Sequence, residues 1–148
     1  MEIPEGVMWI GVSAFVMCYG LVRVTLPSTL EEIPGWAFSD CCSLSHVTIA
    51  NGVRDIAEYA FSDCRRLESI TVPDSMESIG RSAFSGCRRP ANVSLPGRLQ
   101  NKPIGSAFVS CSPELAISYR NGGKTRAPAD DVSDFAEGSV FQCKIPQQ

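Results

Sequence analysis

"IANGVRDIAEYAFSDCRRLESITV", residues 49–72, carries an Ala-Phe pair, a cysteine three residues past the phenylalanine, a leucine three past the cysteine, and then a β-prone triplet. The same order recurs along the chain. Ala-Phe stands at Ala14-Phe15, Ala37-Phe38, Ala60-Phe61, Ala83-Phe84 and Ala107-Phe108, at spacings of 23, 23, 23 and 24. Cys18, Cys41, Cys64, Cys87 and Cys111 follow, and Leu21, Leu44 and Leu67 follow those. Pro90 interrupts the leucine series, and Leu115 arrives one residue late. The triplets are Val24-Thr25-Leu26, Val47-Thr48-Ile49, Ile70-Thr71-Val72, Val93-Ser94-Leu95 and Ile117-Ser118-Tyr119. Further apolar posts recur at Val7, Leu30, Val53, Met76 and Leu99, and at Ile10, Ile33, Ile56, Ile79 and Ile104.

A unit of this length is too short to bury its own apolar face, so copies must stack and form the core between neighbours. The period lies in the leucine-rich repeat range. The predicted fold is an α/β repeat solenoid that is mostly β and loop. Each coil of about 23 residues contributes one short parallel strand to a concave face. Alternation sends Val24 and Leu26 inward and Thr25 outward. Proline at Pro27, Pro73 and Pro96 ends the strand. The Ala-Phe-x-x-Cys segments are expected to make tight helical turns on the convex side.

The units "LPSTLEEIPGWAFSDCCSL", "IANGVRDIAEYAFSDCRRL" and "VPDSMESIGRSAFSGCRRP" closely resemble the BspA-like, or treponemal-type, leucine-rich repeats, whose pattern is IP..V..IG..AF..C..L. The resemblance covers residues 3–119, giving five repeats over 1–119. Residues 120–148 read as a Gly-rich insertion, "RNGGKTRA", plus a degraded sixth unit serving as a C-terminal cap, with a non-repeating cap or tail as the alternative. The resemblance implies surface or secreted proteins that adhere to host, matrix or other cell-surface proteins.

Composition narrows the chemistry. The 148 residues suit one domain, and a net charge of −3 gives no general attraction to nucleic acid. There is one histidine and no Cys-x-x-Cys, which argues against a zinc site; no cofactor is expected. No Gly-x-Ser-x-Gly, phosphate-cradling loop or His-Glu-x-x-His occurs, so the chain is read as not an enzyme. Seven cysteines cannot all pair within the chain. Five hold one repeat position and read as core residues, because equivalents one strand spacing apart fit disulfide geometry poorly. Cys42, outside that ladder, is the candidate exposed thiol, and Cys143 a cap position or loose thiol.

Each non-core position becomes a row on the surface. The expected concave face carries Arg23, Thr25, His46, Thr48, Ser69, Thr71, Asn92 and Ser94, mainly uncharged and polar, and is a candidate protein-binding surface. Arg65, Arg66, Arg88 and Arg89 form a basic edge that could meet an acidic patch. Glu31, Arg54 and Glu77 form a row of alternating sign, expected to stabilise slightly.

Residues 7–22, "VMWIGVSAFVMCYGLV", contain no charge. A secretory signal wants a positive n-region, and here Glu2 and Glu5 precede the run. A spanning helix wants roughly 20 apolar residues. Register instead makes the stretch the first coil, so no transmembrane segment is expected. Its non-core positions remain unusual, because Met8, Trp9, Val12, Val16, Met17 and Tyr19 are apolar where later coils are polar or charged. Such a patch marks an interaction site.

The leading functional reading is a non-enzymatic protein-binding module, with adhesion implied by the resemblance. The alternative is a structural or assembly scaffold that self-associates as a homo-oligomer through the first repeat. Secretion or surface display follows from the resemblance alone, whereas reduced cysteines would fit a cytoplasmic setting.

Overall fold

Inward Val and Leu with outward Thr make each triplet a half-buried strand. In the computed structural model, which describes residues 1–90 and 92–120, the chain forms β1 (Arg23–Leu26), β2 (Glu32–Ile33), β3 (His46–Ile49), β4 (Asp55–Ile56), β5 (Ser69–Thr71), β6 (Ser78–Ile79), β7 (Asn92–Leu95) and β8 (Ala116–Tyr119). The polypeptide makes four full turns of a solenoid from β1 to β8, preceded by the coil of residues 1–22. The expected insertion and sixth unit, and Cys143, lie outside the described residues.

Among the described residues all strand pairing is parallel. β1, β3 and β5 form one sheet, with Val24 opposite Val47, Thr25 opposite Thr48 and Thr48 opposite Thr71. β7 and β8 continue it in kind, with Ser94 opposite Ser118. Residues 1–3 lie along the other edge of β1, where Thr25 N–H donates to the Met1 carbonyl and Ile3 N–H to that of Thr25. A second sheet, β2-β4-β6, runs through the isoleucine posts Ile33, Ile56 and Ile79. It starts only at the second coil. Ala57 and Gly80 donate their N–H groups to Ile33 and Ile56, but their equivalent is Pro34, which has no N–H to give Ile10.

The convex segment differs from the expected helical turn. In the first four coils it is a run of turns, and only the fifth forms a short 3-10 helix, Gly105–Phe108. Amide direction explains the difference. Ala37, Ser39 and Cys41 donate to Pro34, Trp36 and Phe38 within their own coil. The intervening Trp36, Phe38 and Asp40 donate instead to Glu58, Ala60 and Ser62 of the next coil, at 3.3, 2.7 and 2.8 Å. A helix would spend every amide inside the coil and leave the stack unbonded. The alternation requires left-handed backbone at Ser13, Trp36, Tyr59 and Ser82, and again at Met17, Asp40 and Asp63, all with φ near 60°. Ordinary side chains adopt this conformation at a cost that the cross-coil bonds offset.

Stacked posts form the core. Phe15, Phe38, Phe61, Phe84 and Phe108 make one column with centroids 5.2–5.4 Å apart and planes within 10° of parallel. Hydroxyls tie the coils at the strand exits. Gly6 N–H donates to Thr29 Oγ1, which donates to the Val7 carbonyl, and Ser75 repeats the arrangement with Gly52 and Val53. No ion pair forms between Glu31 and Arg54. Among the described residues the pairs are Arg89–Glu68, Arg98–Glu77 and Arg120–Asp74.

Coil spacing makes two substitutions diagnostic. Gly52 sits at φ +127°, and a Cβ there would collide with the Ser28 backbone. Gly52→Ala should cost about 1–3 kcal/mol in urea denaturation, while Gly35→Ala, which meets only ordinary contact, should stay within about 0.5 kcal/mol. Phe61→Ala, in the middle of the column, should cost about 3–5 kcal/mol. The half-buried Phe15 should lose much less on the same change.

Candidate functional site

The concave face stands as its alternation requires. Arg23, Thr25, Thr48, Ser69, Thr71, Asn92 and Ser94 are exposed, and His46 is half-buried. His46 Nδ1 lies 2.8 Å from Ser45 Oγ, within the strand's own edge. One end of the face is occupied by a residue that the sequence reading assigned to the insertion. Arg120 reaches back across two coils, donating to the Ser94 and Val72 carbonyls at 2.9 and 2.6 Å and to the Asp74 carboxylate at 2.8 Å. Beside Asp74 an open polar notch of about 340 Å³ is lined by Pro96, Gly97, Arg98 and Gln100. It lacks the enclosed apolar character of small-molecule pockets.

The cysteine row has a chemical reason. The Phe15 carbonyl accepts the Cys18 N–H and, as a second bond, the Cys41 thiol at 3.1 Å. Cys64, Cys87 and Cys111 do the same to Phe38, Phe61 and Phe84, at 3.2, 3.3 and 3.2 Å. A thiol is small and cheap to desolvate, yet it can fill the carbonyl's second lone pair. No disulfide joins two of the six described cysteines. Burial pushes the Cys41 thiol up to about 11, and raises Cys64 and Cys87 as well. Cys18 and Cys42 are half-buried.

A family model for the BspA type leucine rich repeat region matches residues 1–114 in six copies. The chain belongs to the BspA-type leucine-rich repeat family. Its fold is similar to the crystal structure of the Treponema pallidum leucine-rich repeat protein, at a TM-score of 0.65 and 31% identity, covering 80% of this chain and 56% of that one. A leucine-rich repeat protein from Bacteroides ovatus matches at a TM-score of 0.48 and 21% identity, over 82% of this chain and 42% of that one. The chain thus spans about half the length of the solved structures it matches. No curated protein matches it.

Against the regular BspA-type coil, two surfaces stand out. The arginine edge is exposed at Arg65, Arg66, Arg88 and Arg89, but its charge is partly answered. Arg89 pairs with Glu68 at 3.1 Å, and Arg65 and Arg88 draw Asp63 toward ionisation. Burial and the neighbouring Asp40 outweigh them and hold the Asp63 carboxyl above its ordinary range.

The second surface is the first coil. Met8, Trp9, Val12, Met17 and Tyr19 are strongly exposed, with Trp9 at 78%, while Val16 is half-buried. Sequence comparison missed Met1, Val22 and Trp36, which complete the exposed large apolar side chains among the described residues; all eight fall within the first 36. Trp36 stacks on Tyr59 at 4.3 Å and 9°. Reading the row Ser13, Trp36, Tyr59, Ser82 would have found that pair. The posts of the first coil are also open. Ala14 is exposed and Val7, Ile10, Phe15, Cys18 and Leu21 are half-buried, whereas their counterparts in the second coil lie at 0%. Among the described residues the carbonyls of Val12, Ala14 and Val16 accept no bond, whereas their equivalents at Gly35, Ala37 and Ser39 do. No helix among the described residues is long and apolar enough to cross a membrane.

Thiol chemistry tests the ladder. A thiol reagent on the folded protein should modify Cys42 and Cys18 and spare Cys41, Cys64, Cys87 and Cys111, as peptide mass mapping would show. The raised thiols also set a pH window. Below a free thiol's 9.0 both folded and unfolded chains keep the Cys41 proton and the stability is complete. Above it the unfolded chain ionises first, so urea midpoints should fall as pH rises from 9.0 through about 11.

Proposed function

We propose that this chain is a protein-binding module whose concave face holds an extended segment or surface of a partner, in an adhesive role toward host, matrix or cell-surface proteins. One observation carries the reading. Thr25, Thr48 and Thr71, and Arg23, His46 and Ser69 beside them, stand in exact one-coil register on a rigid parallel sheet. Such rows offer repeated polar donors and acceptors without the desolvation cost of burying charge. Membership of the BspA-type family supports a protein-interaction role. The arginine edge would contribute long-range attraction to an acidic partner, which affects association rate more than affinity. Surface or secreted display fits the same reading. A second reading, assembly through the first coil, is favoured by its exposed apolar side chains.

The test is surface plasmon resonance against immobilised extracellular-matrix proteins. Replacing Thr48 and Thr71 together by Glu should weaken binding at least about tenfold, equivalent to about 1.4 kcal/mol. Replacing Arg65, Arg66, Arg88 and Arg89 by Ala should chiefly slow association at low salt. Binding unchanged by the threonine pair would refute the concave face as the site.

A further inference from the structure

We infer that the arginine edge of the third and fourth coils is a binding site for a sulfated polysaccharide of the glycosaminoglycan type, whose sulfate groups are clasped by the guanidinium groups of Arg65, Arg66, Arg88 and Arg89. The placement of these residues carries the argument. Arg65 and Arg88 hold one repeat position and Arg66 and Arg89 the next, so the two pairs stand one coil apart, on the order of 5 Å. All four are exposed. Each pair follows directly on a buried cysteine whose thiol bonds a carbonyl of the preceding coil, Cys64 to Phe38 and Cys87 to Phe61. The backbone under the array is therefore fixed before any ligand arrives, which lowers the ordering cost of binding. Through residues 63–69 and 86–92 these four cations meet only Asp63 and Glu68, in a chain of net charge −3. Among the described residues one of the four has an ion pair, Arg89 with Glu68 at 3.1 Å.

Stacking of one coil on another does not call for this array. The second coil carries Cys42 and Ser43 at the same positions, and the fifth carries Ser112 and Pro113. Like charges side by side on adjacent coils repel, so folding alone would favour uncharged residues there. Sulfate esters stay ionised throughout the physiological pH range, and their oxygens accept paired N–H bonds from the planar guanidinium fork. A grid of forks at one-coil spacing meets several sulfates of one extended chain together. The surroundings select a glycan among polyanions. Three residues past each arginine pair, Ser69 and Asn92 open the concave strands, exposed and able to bond sugar hydroxyls. The exposed large apolar side chains of the described residues all lie within the first 36, so this edge has no aromatic or aliphatic anchor on which a tight protein interface could centre. Nor has it an exposed aromatic ring on which a nucleic-acid base could stack. Such binding rests on the edge attracting acidic partners, as proposed above, and gives that partner a chemical class.

The experiment is surface plasmon resonance of the 148-residue chain over immobilised heparin. The wild type should bind, and raising salt from about 50 to about 200 mM should weaken binding at least about tenfold through counterion release. The combined variant Arg65→Gln, Arg66→Gln and Arg88→Gln should bind at least about tenfold more weakly, with an unchanged melting temperature because all three side chains are exposed. The charge-matched variant Arg54→Gln, Arg81→Gln and Arg98→Gln should lose less than about twofold. Desulfated heparin and polyglutamate should each bind at least about tenfold more weakly than heparin. A wild type that does not bind heparin overturns the proposal. Equal binding by the arginine-edge variant also overturns it, because cations elsewhere, such as Lys124 and Arg126, would then carry the contact. Equal losses in the two variants do the same, since net charge alone would explain them. Polyglutamate bound as tightly as heparin makes the edge a site for acidic protein and overturns the glycan. The protein-binding reading is scored separately, on glycan-free matrix proteins with the Thr48 and Thr71 variant, so either can fail alone.

Discussion

Each coil buries its apolar posts only against the next coil, and half of its convex amides are spent on that neighbour. Phe38, Asp40 and Trp36 give their N–H groups across the gap, while Ala37, Ser39 and Cys41 close turns within the coil. A slip of one residue would exchange the two sets and turn every inward post outward. The constancy of the 23-residue step therefore follows from hydrogen bonding and burial together. Where the step lengthens, between the fourth and fifth Ala-Phe pairs, the extra chain loops out between Leu99 and Ile104, closed by the Lys102 N–H on the Leu99 carbonyl, and both posts stay in the core.

That constraint also divides the side chains into two kinds. Positions that face the neighbouring coil hold Val, Leu, Ile, Met, Phe, Ala and Cys, with Tyr119 in the last strand, and the cysteines serve as second donors to the phenylalanine carbonyls rather than as reactive groups. Positions that face outward are not restricted by the neighbouring coil's core, although some of them, such as Thr29, Ser75 and Arg120, bond across coils. The uncharged polar rows on the concave sheet and the apolar side chains on the first coil are therefore not demanded by the stacking of coils.

Much of this was legible before any coordinates. The Ala-Phe-x-x-Cys count located the coils, the triplets located the strands, and comparison of Met8 with Arg54 or Tyr19 with Arg65 exposed the unusual first coil. Other features were not. The left-handed residues Trp36 and Tyr59 carry no glycine-like signature, because cross-coil bonds rather than side-chain preference hold them there. The second sheet depends on carbonyl direction at two-residue strands too short to show a period. Arg120 looked like the start of a loop, and its bonds to Val72 and Asp74 span 48 and 46 residues.

The sequence by itself determined the period, the identity of the inward posts and the absence of charge through residues 6–22, because these are properties of spacing and composition. Only the tertiary structure decided which posts are covered. Phe15 and Phe38 are the same residue at the same repeat position, yet Phe38 is sealed and Phe15 is not. Burial belongs to the neighbour as much as to the residue. In a stack whose core lies between coils, a post is sealed only where coils press on it from both sides.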